Sequence, residues 1–294
     1  MKPWTDRAGK LSPLKAAAFA GTLVPALLLA YYAATGFPSA APTGGLLGPR
    51  PFTAAIHHTG DWAMRFLLLS LAVTPLRRIG QWPKLILIRR MLGIAALCYA
   101  LGHLVLYFFD QNWNVARVVS EIALRIYLTI GFVALLGLVA LGATSTDAAI
   151  SKLGRNWNRL HKIVYGIGIL AALHFFMQSK ADVYEPTLMA GFFMLLMVYR
   201  LAQWRGLSLT SPWVLIAIAI AAALATVVVE AAWYGLATGV EPRRVLAANL
   251  QFSYSIRPAW WILATGLSVA VLGYVRSMGK ADAPRGRRVA RASA

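Results

Sequence analysis

The 294-residue chain is 59% hydrophobic and only 13% charged, with a formal net charge of +19 and a single cysteine. A soluble domain carries roughly 25% charged residues, and a β-barrel would show alternating segments of about ten residues, so the composition indicates an all-α polytopic membrane bundle. The Lys and Arg residues cluster between apolar runs and at both termini, which is the positive-inside pattern and argues against nucleic-acid binding. One cysteine excludes internal disulfides, iron–sulfur clusters and Cys-based metal sites.

Eight membrane-spanning helices are predicted, with both termini in the cytoplasm. The first follows a basic start and is interpreted as a retained helix, because its apolar part is too long for a signal peptide. Basic loops should be cytoplasmic, and Arg243 and Arg244 fit this rule least well. The predicted spans, in chain order, are about 16–34, 57–76, 91–109, 122–143, 161–178, 187–204, 212–236 and 258–275.

Two of the five histidines are predicted to lie at the same depth in the membrane. His103 is about 18 Å, and His174 about 20 Å, outward from the cytoplasmic ends of the third and fifth spans. A neutral imidazole is a common metal ligand and can hold haem iron. Two imidazoles at one level on two outward-running helices therefore predict a haem bound between those helices.

His161, at the inner end of the fifth span, has no histidine at its own level. Arg89 precedes His103 by fourteen residues and occupies that level, and Arg89 or Arg90 could meet haem propionates. Thirteen residues separate His161 from His174, so the two side chains would point about 140° apart on an ideal helix. Tilt, or a distortion near Gly166 and Gly168, would be needed for both to face one neighbour.

The histidines also have interpretations without haem. They could serve as interhelical hydrogen-bonding or proton-relay groups, or bind another metal. His57 and His58, at the outer mouth of the second span, are expected to be solvated. Asp61 and Arg65 could pair at i,i+4, with Arg65 as a haem-propionate partner in the alternative.

Two further residues are given ordinary structural roles. Glu230 is expected to be an interfacial carboxylate, with a proton-accessible carboxylate as the alternative. Cys98 is expected to be a small buried hydrophobe.

An ordered series of motifs resembles the MsrQ (YedZ) family of the ferric-reductase-like transmembrane superfamily. The resemblance covers about half the chain, from about Pro51 to Gln203. The motifs are His57-x-Thr59-Gly60, Leu71-x-x-Thr74-Pro75-Leu76-Arg77, Ile88-Arg89-Arg90-Met91-Leu92-Gly93, Tyr99-x-x-x-His103-Leu104, Ala143-Thr144-Ser145-Thr146, and Leu153-Gly154-x-x-Trp157-x-x-Leu160-His161-x-x-x-Tyr165, followed by His174.

The resemblance implies a haem b subunit of the bacterial inner membrane. Such a subunit passes electrons to MsrP, a periplasmic molybdopterin enzyme that reduces methionine sulfoxide in oxidised proteins. The electrons would come from the quinone pool or a cytosolic flavin reductase, and FMN is an implied cofactor for which no motif gives a site. His103, His161 and His174 carry over as haem-ligand positions for one or two haems, and Arg89 as a candidate at the inner haem.

The resemblance also suggests four segments. They are an N-terminal helix and external loop (1–50), a haem-binding core (51–205), two additional helices (206–276) that exceed the six-helix core, and a basic, disordered cytoplasmic tail (277–294). No Gly-rich nucleotide fingerprint follows a strand, so the electron donor is expected to be another protein or a quinone, and sulfoxide chemistry is expected on the partner. The alternatives are a ferric reductase, a cytochrome b561-like quinone oxidoreductase and, from another class, a proton-coupled small-solute transporter.

Overall fold

The computed structural model describes residues 3–5, 9–36, 47–179, 182–253 and 255–281, and these residues form α-helices without a β-strand. The only extended pairing among them is an isolated bridge between Thr5 and Leu11. The helices are α1 (Pro13–Gly36), α2 (Pro51–Ile79), α3 (Ile86–Asp110), α4 (Val115–Leu124), α5 (Ile126–Ala143), α6 (Asp147–Leu153), α7 (Arg155–Leu160), α8 (Val164–Ser179), α9 (Tyr184–Trp204), α10 (Pro212–Trp233), α11 (Pro242–Ala248) and α12 (Pro258–Ala281).

Seven helical segments of the described chain are long and apolar enough to cross a membrane, which confirms the polytopic all-α architecture. They are Pro13–Ala34, Pro83–Asp110, Ile126–Ala143, Arg155–Ser179, Tyr184–Trp204, Pro212–Thr238 and Pro258–Met278. The predicted second span corresponds to α2, which has 29 residues, or about 44 Å. Helix α2 is long enough to cross a membrane, but it is not among the seven apolar segments. Its polarity comes from four charged residues, Asp61, Arg65, Arg77 and Arg78. The cytoplasmic placement of the termini stays a prediction.

The fifth predicted span contains a local break at its inner histidine. Gly154, with φ of 50°, separates α6 from α7, and a short 3₁₀ turn at His161–Ile163 then separates α7 from α8. A 3₁₀ turn winds three residues per turn rather than 3.6, so it changes the direction of side chains on its two sides. The distortion therefore lies at His161 itself, not at Gly166 and Gly168 as considered from the sequence.

Several segments between the spans also differ from prediction. The fourth span begins at Ile126 rather than near 122, because Arg125 is extended and ends the amphipathic helix α4. Helix α11 lies within the segment 237–256 that was predicted only as external. Helix α12 continues to Ala281, through the first part of the predicted disordered tail. The rest of that tail, 282–294, and residues 37–46 of the predicted external loop lie outside the described residues.

The chain divides into two compact units. The first contains Met1–Val73 and Leu85–Met189, and its main packing is between α5 and α8, with α3 and α4 also against α5 and α1 against α3. The second contains Thr74–Lys84 and Ala190–Ala294, and its main packing is between α10 and α12. The sixth predicted span, α9, thus contributes most of its length to the second unit. The segment boundaries suggested by the sequence stay predictions.

The second unit contains a buried ionic network at one end of α10. Glu230 is only 1% exposed, forms an ion pair with Arg257 and accepts a hydrogen bond of 2.8 Å from the Asn249 amide. Trp260 donates its indole N–H to the Asn249 carbonyl at 2.7 Å. Glu230 is therefore shielded from solvent by the protein, while its interfacial depth in the membrane stays a prediction. Its charge is accommodated because a cation and an amide donor surround it.

We predict that Arg257→Ala destabilises the second unit by about 3–5 kcal/mol, because it leaves a buried carboxylate without its counter-ion. The measurement is equilibrium unfolding in mixed detergent micelles. Arg125→Ala is the control, since its ion pair with Glu121 is 52% exposed at the arginine and solvent already screens it. An equal loss of stability in the two variants would contradict the importance of this buried pair.

Candidate functional site

His103 of α3 and His174 of α8 lie next to each other in the first unit. Their ring centroids are 6.3 Å apart and the ring planes are at 86° to each other. Two metal–imidazole bonds of roughly 2 Å each, with one metal ion between the rings, fit such a separation. The structure thus brings together the two histidines that the depth count placed at one level.

Each of these histidines is fixed by a carbonyl oxygen of a neighbouring helix. His103 Nδ1 lies 2.8 Å from the Ile56 carbonyl of α2, and His174 Nδ1 lies 2.7 Å from the Tyr127 carbonyl of α5. A carbonyl oxygen can only accept a hydrogen bond, so each Nδ1 carries a proton and donates it. Nε2 of each ring is then the unprotonated nitrogen, which is the form of imidazole that binds a metal.

A glycine makes each of these approaches possible. Gly60 and Gly131 stand four residues after Ile56 and Tyr127, whose carbonyls accept these hydrogen bonds. A Cβ at Gly131 would lie 2.7 Å from His174 Nδ1, and one at Gly60 would lie 3.0 Å from His103 Nδ1. Both rings therefore occupy space that a larger residue would fill, and the same local arrangement occurs twice.

The two histidines line one cavity of about 340 Å³, within the usual size range of cofactor pockets. Its walls are mainly apolar side chains of α2, α3, α5 and α8. They include Met64, Leu67, Leu104, Phe132, Leu135 and Phe175. Polar side chains lie elsewhere on the lining, among them Asp61, Gln178 and Glu185.

These residues fit a haem held by two histidines. In the described part of the chain, no group of three or more His, Cys, Asp or Glu side chains is arranged to hold a bare metal ion. Two imidazoles are enough for a haem, because the porphyrin supplies the remaining ligands and needs apolar walls. His103 and His174 would hold the haem iron, and the cavity walls would contact the porphyrin.

Arg65 lies beside this site but is already engaged. Its guanidinium is 3.3 Å from Glu185, which lines the cavity, and 5.2 Å from the centre of the Trp62 ring. Its ion pair is thus with Glu185 rather than with Asp61, the partner considered from the sequence. A role for Arg65 toward a haem propionate stays a prediction.

His161 has a different environment at the other end of the fifth span. The Trp157 ring stacks on it with centroids 3.9 Å apart, and Trp157 donates its indole N–H to the Thr144 carbonyl at 2.8 Å. Nδ1 of His161 is 3.2 Å from the Trp157 carbonyl, and Nε2 is 3.5 Å from the Ser145 hydroxyl. No other histidine of the described residues contacts it in the manner of the outer pair.

The two candidate arginines at this inner end differ in their partners. Arg89 is close enough to His161 for an electrostatic interaction. Arg90 forms an ion pair with Asp147 and donates to the Ser145 carbonyl at 3.3 Å. Arg89 therefore remains the candidate cation beside His161.

The structure also describes the surroundings of three other residues singled out from the sequence, namely His57, His58 and Cys98. His57 is exposed and lines the same cavity as His103 and His174, as its predicted solvated position allows. His58 Nε2 is 3.0 Å from the Pro25 carbonyl. Cys98 is exposed, so the expectation of a small buried hydrophobe is wrong.

Gly60 and Gly131 were not identified as site residues from the sequence. Gly60 belongs to one of the resembling motifs, but its contact with His103 could not be predicted from it. A glycine in an apolar span often marks a close approach of another group. Gly131 is such a glycine, and its position in the fourth predicted span could have indicated this contact.

Comparisons with known proteins bear on the same region. Residues 59–172 match the family model described as ferric reductase like transmembrane component. A relative from Xanthomonas campestris pv. campestris (strain 8004), named protein-methionine-sulfoxide reductase heme-binding subunit MsrQ, is 45% identical over 163 residues, covering 55% of this chain and 74% of the relative. A protein of the same name from Brucella anthropi is 42% identical over 160 residues, covering 54% and 72%. No solved structure matches the chain.

We predict that Gly131→Ala lowers the haem content of the purified protein, because the new methyl group would displace the His174 ring from its position. Overpacking of this kind costs about 1–3 kcal/mol. Haem content is measured by the pyridine haemochrome assay. Gly166→Ala on α8 is the control, since a Cβ there meets nothing within 4 Å. Equal haem content in both variants would show that the close approach of Gly131 is not needed.

Proposed function

We propose the function of this chain from the family to which it belongs, that of MsrQ, the haem-binding subunit of protein-methionine-sulfoxide reductase. The chain is a multi-pass membrane protein, and we assign it the binding of haem b and the transfer of electrons to a methionine sulfoxide reductase catalytic subunit. The observation that carries this proposal is the pairing of His103 with His174, each oriented by a backbone carbonyl, in an apolar cavity.

The residues of the chain would contribute position and environment. When bound, the haem supplies a one-electron iron couple. His103 and His174 present Nε2 because their Nδ1 protons are held by Ile56 and Tyr127. The packed glycines restrict movement of both rings, and apolar side chains form most of the walls around them. Such fixed axial ligands and surroundings are the means by which a protein tunes a haem.

The inner end would extend the path toward the other side of the membrane. We assign His161 as the candidate ligand of a second, inner haem, with Arg89 as the cation beside it. Its support is the 3₁₀ turn, which gives His161 a direction of its own. The ring nitrogens of His161 lie near the Ser145 hydroxyl and the Trp157 carbonyl, with no second histidine among the described residues beside them, so its ligand set would differ from that of the outer haem.

The finer assignments follow from the family. The acceptor would be MsrP, a periplasmic molybdopterin reductase that repairs oxidised periplasmic proteins, and the membrane would be the bacterial inner membrane. The donor would be the quinone pool or a cytosolic flavin reductase. FMN would be an additional cofactor, and no residue is assigned to it.

We predict that reduced-minus-oxidised spectra of the purified chain contain a b-type α-band. His103→Ala and His174→Ala should each abolish the same outer haem, because either change removes one of its two axial ligands. His161→Ala should spare that haem at least in part. A colourless protein would contradict haem binding and favour a transporter. Loss of all haem in His161→Ala, with none lost in His103→Ala, would contradict the assignment of the outer ligands.

The electron acceptor is tested in a second experiment. We predict that the prereduced chain in nanodiscs is reoxidised when both the molybdopterin catalytic subunit and a methionine-sulfoxide substrate are added. The catalytic subunit without sulfoxide is the control and should give at most partial reoxidation. Reoxidation by ferric chelates, but not by the catalytic subunit with sulfoxide, would indicate a ferric reductase instead.

A further inference from the structure

A second cavity of the first unit lies between α1 and α3 and shares no lining residue with the histidine cavity. Its volume is about 1000 Å³ and its walls are mainly apolar. The walls include Phe19, Leu23 and Ala26 of α1 and Met91, Ile94 and Cys98 of α3. We call this cavity the α1–α3 groove. Nothing in the proposed electron transfer uses it.

The groove requires an apolar occupant. Only 11% of the most apolar 18-residue stretch of α1 is buried, so this helix is only loosely packed on the protein. An empty space between two apolar helices would forfeit dispersion contacts along both. In a bilayer the molecules available to fill it are lipids, since water is excluded from the hydrocarbon core.

The polar groups inside the groove have intramolecular partners. Tyr99 donates its hydroxyl to the Thr22 carbonyl at 2.9 Å, and Thr22 donates its own to the Phe19 carbonyl at 2.7 Å. Thr59 donates to the Ala55 carbonyl at 2.9 Å. These hydroxyl protons are therefore not available to a polar ring in the middle of the groove, which favours an acyl chain over a quinone head group there.

One end of the groove is positively charged. Lys15, in the first turn of α1, and Arg90, near the start of α3, lie there together with Asp147. Arg90 pairs with Asp147, whereas Lys15 donates to the neutral carbonyl of Thr5 at 2.9 Å. Among the described residues, no carboxylate forms an ion pair with Lys15. The charged residues of the described lining, two cations and one carboxylate, carry a formal charge of +1.

The segment before α1 holds this end in place. Ser12 donates its backbone N–H to the Trp4 carbonyl at 3.0 Å, and the Trp4 ring lies 5.4 Å from the Phe19 ring. Thr5 is thereby held beside Lys15. Among the described residues the ammonium uses one of its three N–H donors, on Thr5, which leaves two for an anion.

We propose that the α1–α3 groove binds one anionic phospholipid, with its phosphate at Lys15 and an acyl chain running along α3 past Cys98. The single negative charge of a phosphodiester matches the formal charge of +1 at the end of the groove that contains Lys15 and Arg90. Eight residues separate Arg90 from Cys98, or about 12 Å along the helix. This distance falls within one leaflet of a hydrocarbon core that is about 30 Å thick. The bound lipid would fill the gap between α1 and α3.

Native mass spectrometry of the full haem-loaded chain tests the proposal. The protein is released from phosphatidylcholine nanodiscs that contain added phosphatidylglycerol. We expect the wild type to retain one phosphatidylglycerol in preference to phosphatidylcholine. Lys15→Gln should weaken this preference about fivefold, the effect of one lysine near an anionic surface.

A second variant pair separates groove binding from general surface attraction. Ala26→Phe places a ring in the groove and should abolish retention. Leu27→Phe is the matched control on the next residue, which is 65% exposed and does not line the groove, and should retain the lipid. An unchanged haem spectrum shows that each variant is folded.

The only cysteine of the chain provides an independent readout. Cys98 alkylation by an apolar maleimide should be slower in nanodiscs with phosphatidylglycerol than in phosphatidylcholine alone, and this difference should disappear in Ala26→Phe. Retention of a quinone, of no lipid, or of phosphatidylglycerol equally in Ala26→Phe and Leu27→Phe would each overturn the proposal.

Discussion

The site of His103 and His174 depends on two hydrogen bonds that run from the histidine rings to the backbones of neighbouring helices. Carbonyl groups in a membrane helix normally accept from their own helix, and a second donor needs close access. Gly60 and Gly131 provide that access to the Ile56 and Tyr127 carbonyls. The bonds fix the tautomer of each ring, so the chemistry of the site follows from a packing constraint.

His161, at the other end of the fifth predicted span from His174, has a different environment. His161 starts a 3₁₀ turn and stacks on Trp157. Its ring nitrogens lie near the Trp157 carbonyl and the Ser145 hydroxyl. This local break turns His161 independently of His174. The break lies at the histidine itself, so the thirteen-residue step from His161 to His174 does not follow one regular α-helix.

The second unit stabilises charge in another way. Glu230 is buried with Arg257 and Asn249 where three helices, α10, α11 and α12, meet. The groove between α1 and α3 shows the opposite case, in which the interior is apolar and charge remains only at the mouth. The proposed lipid is what such a mouth would attract, whereas the Glu230 network is already complete in its charge.

The sequence by itself determined the fold class and the identity of the central histidines. Apolar length and charge placement are enough to predict spanning helices, because each must satisfy its own backbone in lipid. Counting residues from the basic ends was enough to pair His103 with His174, because the helical rise is constant. Only the tertiary structure revealed the glycine contacts, the ion pair of Arg65 with Glu185, the burial of Glu230 and the exposure of Cys98. Those features depend on which faces of distant helices meet, and helical periodicity within one segment does not determine that.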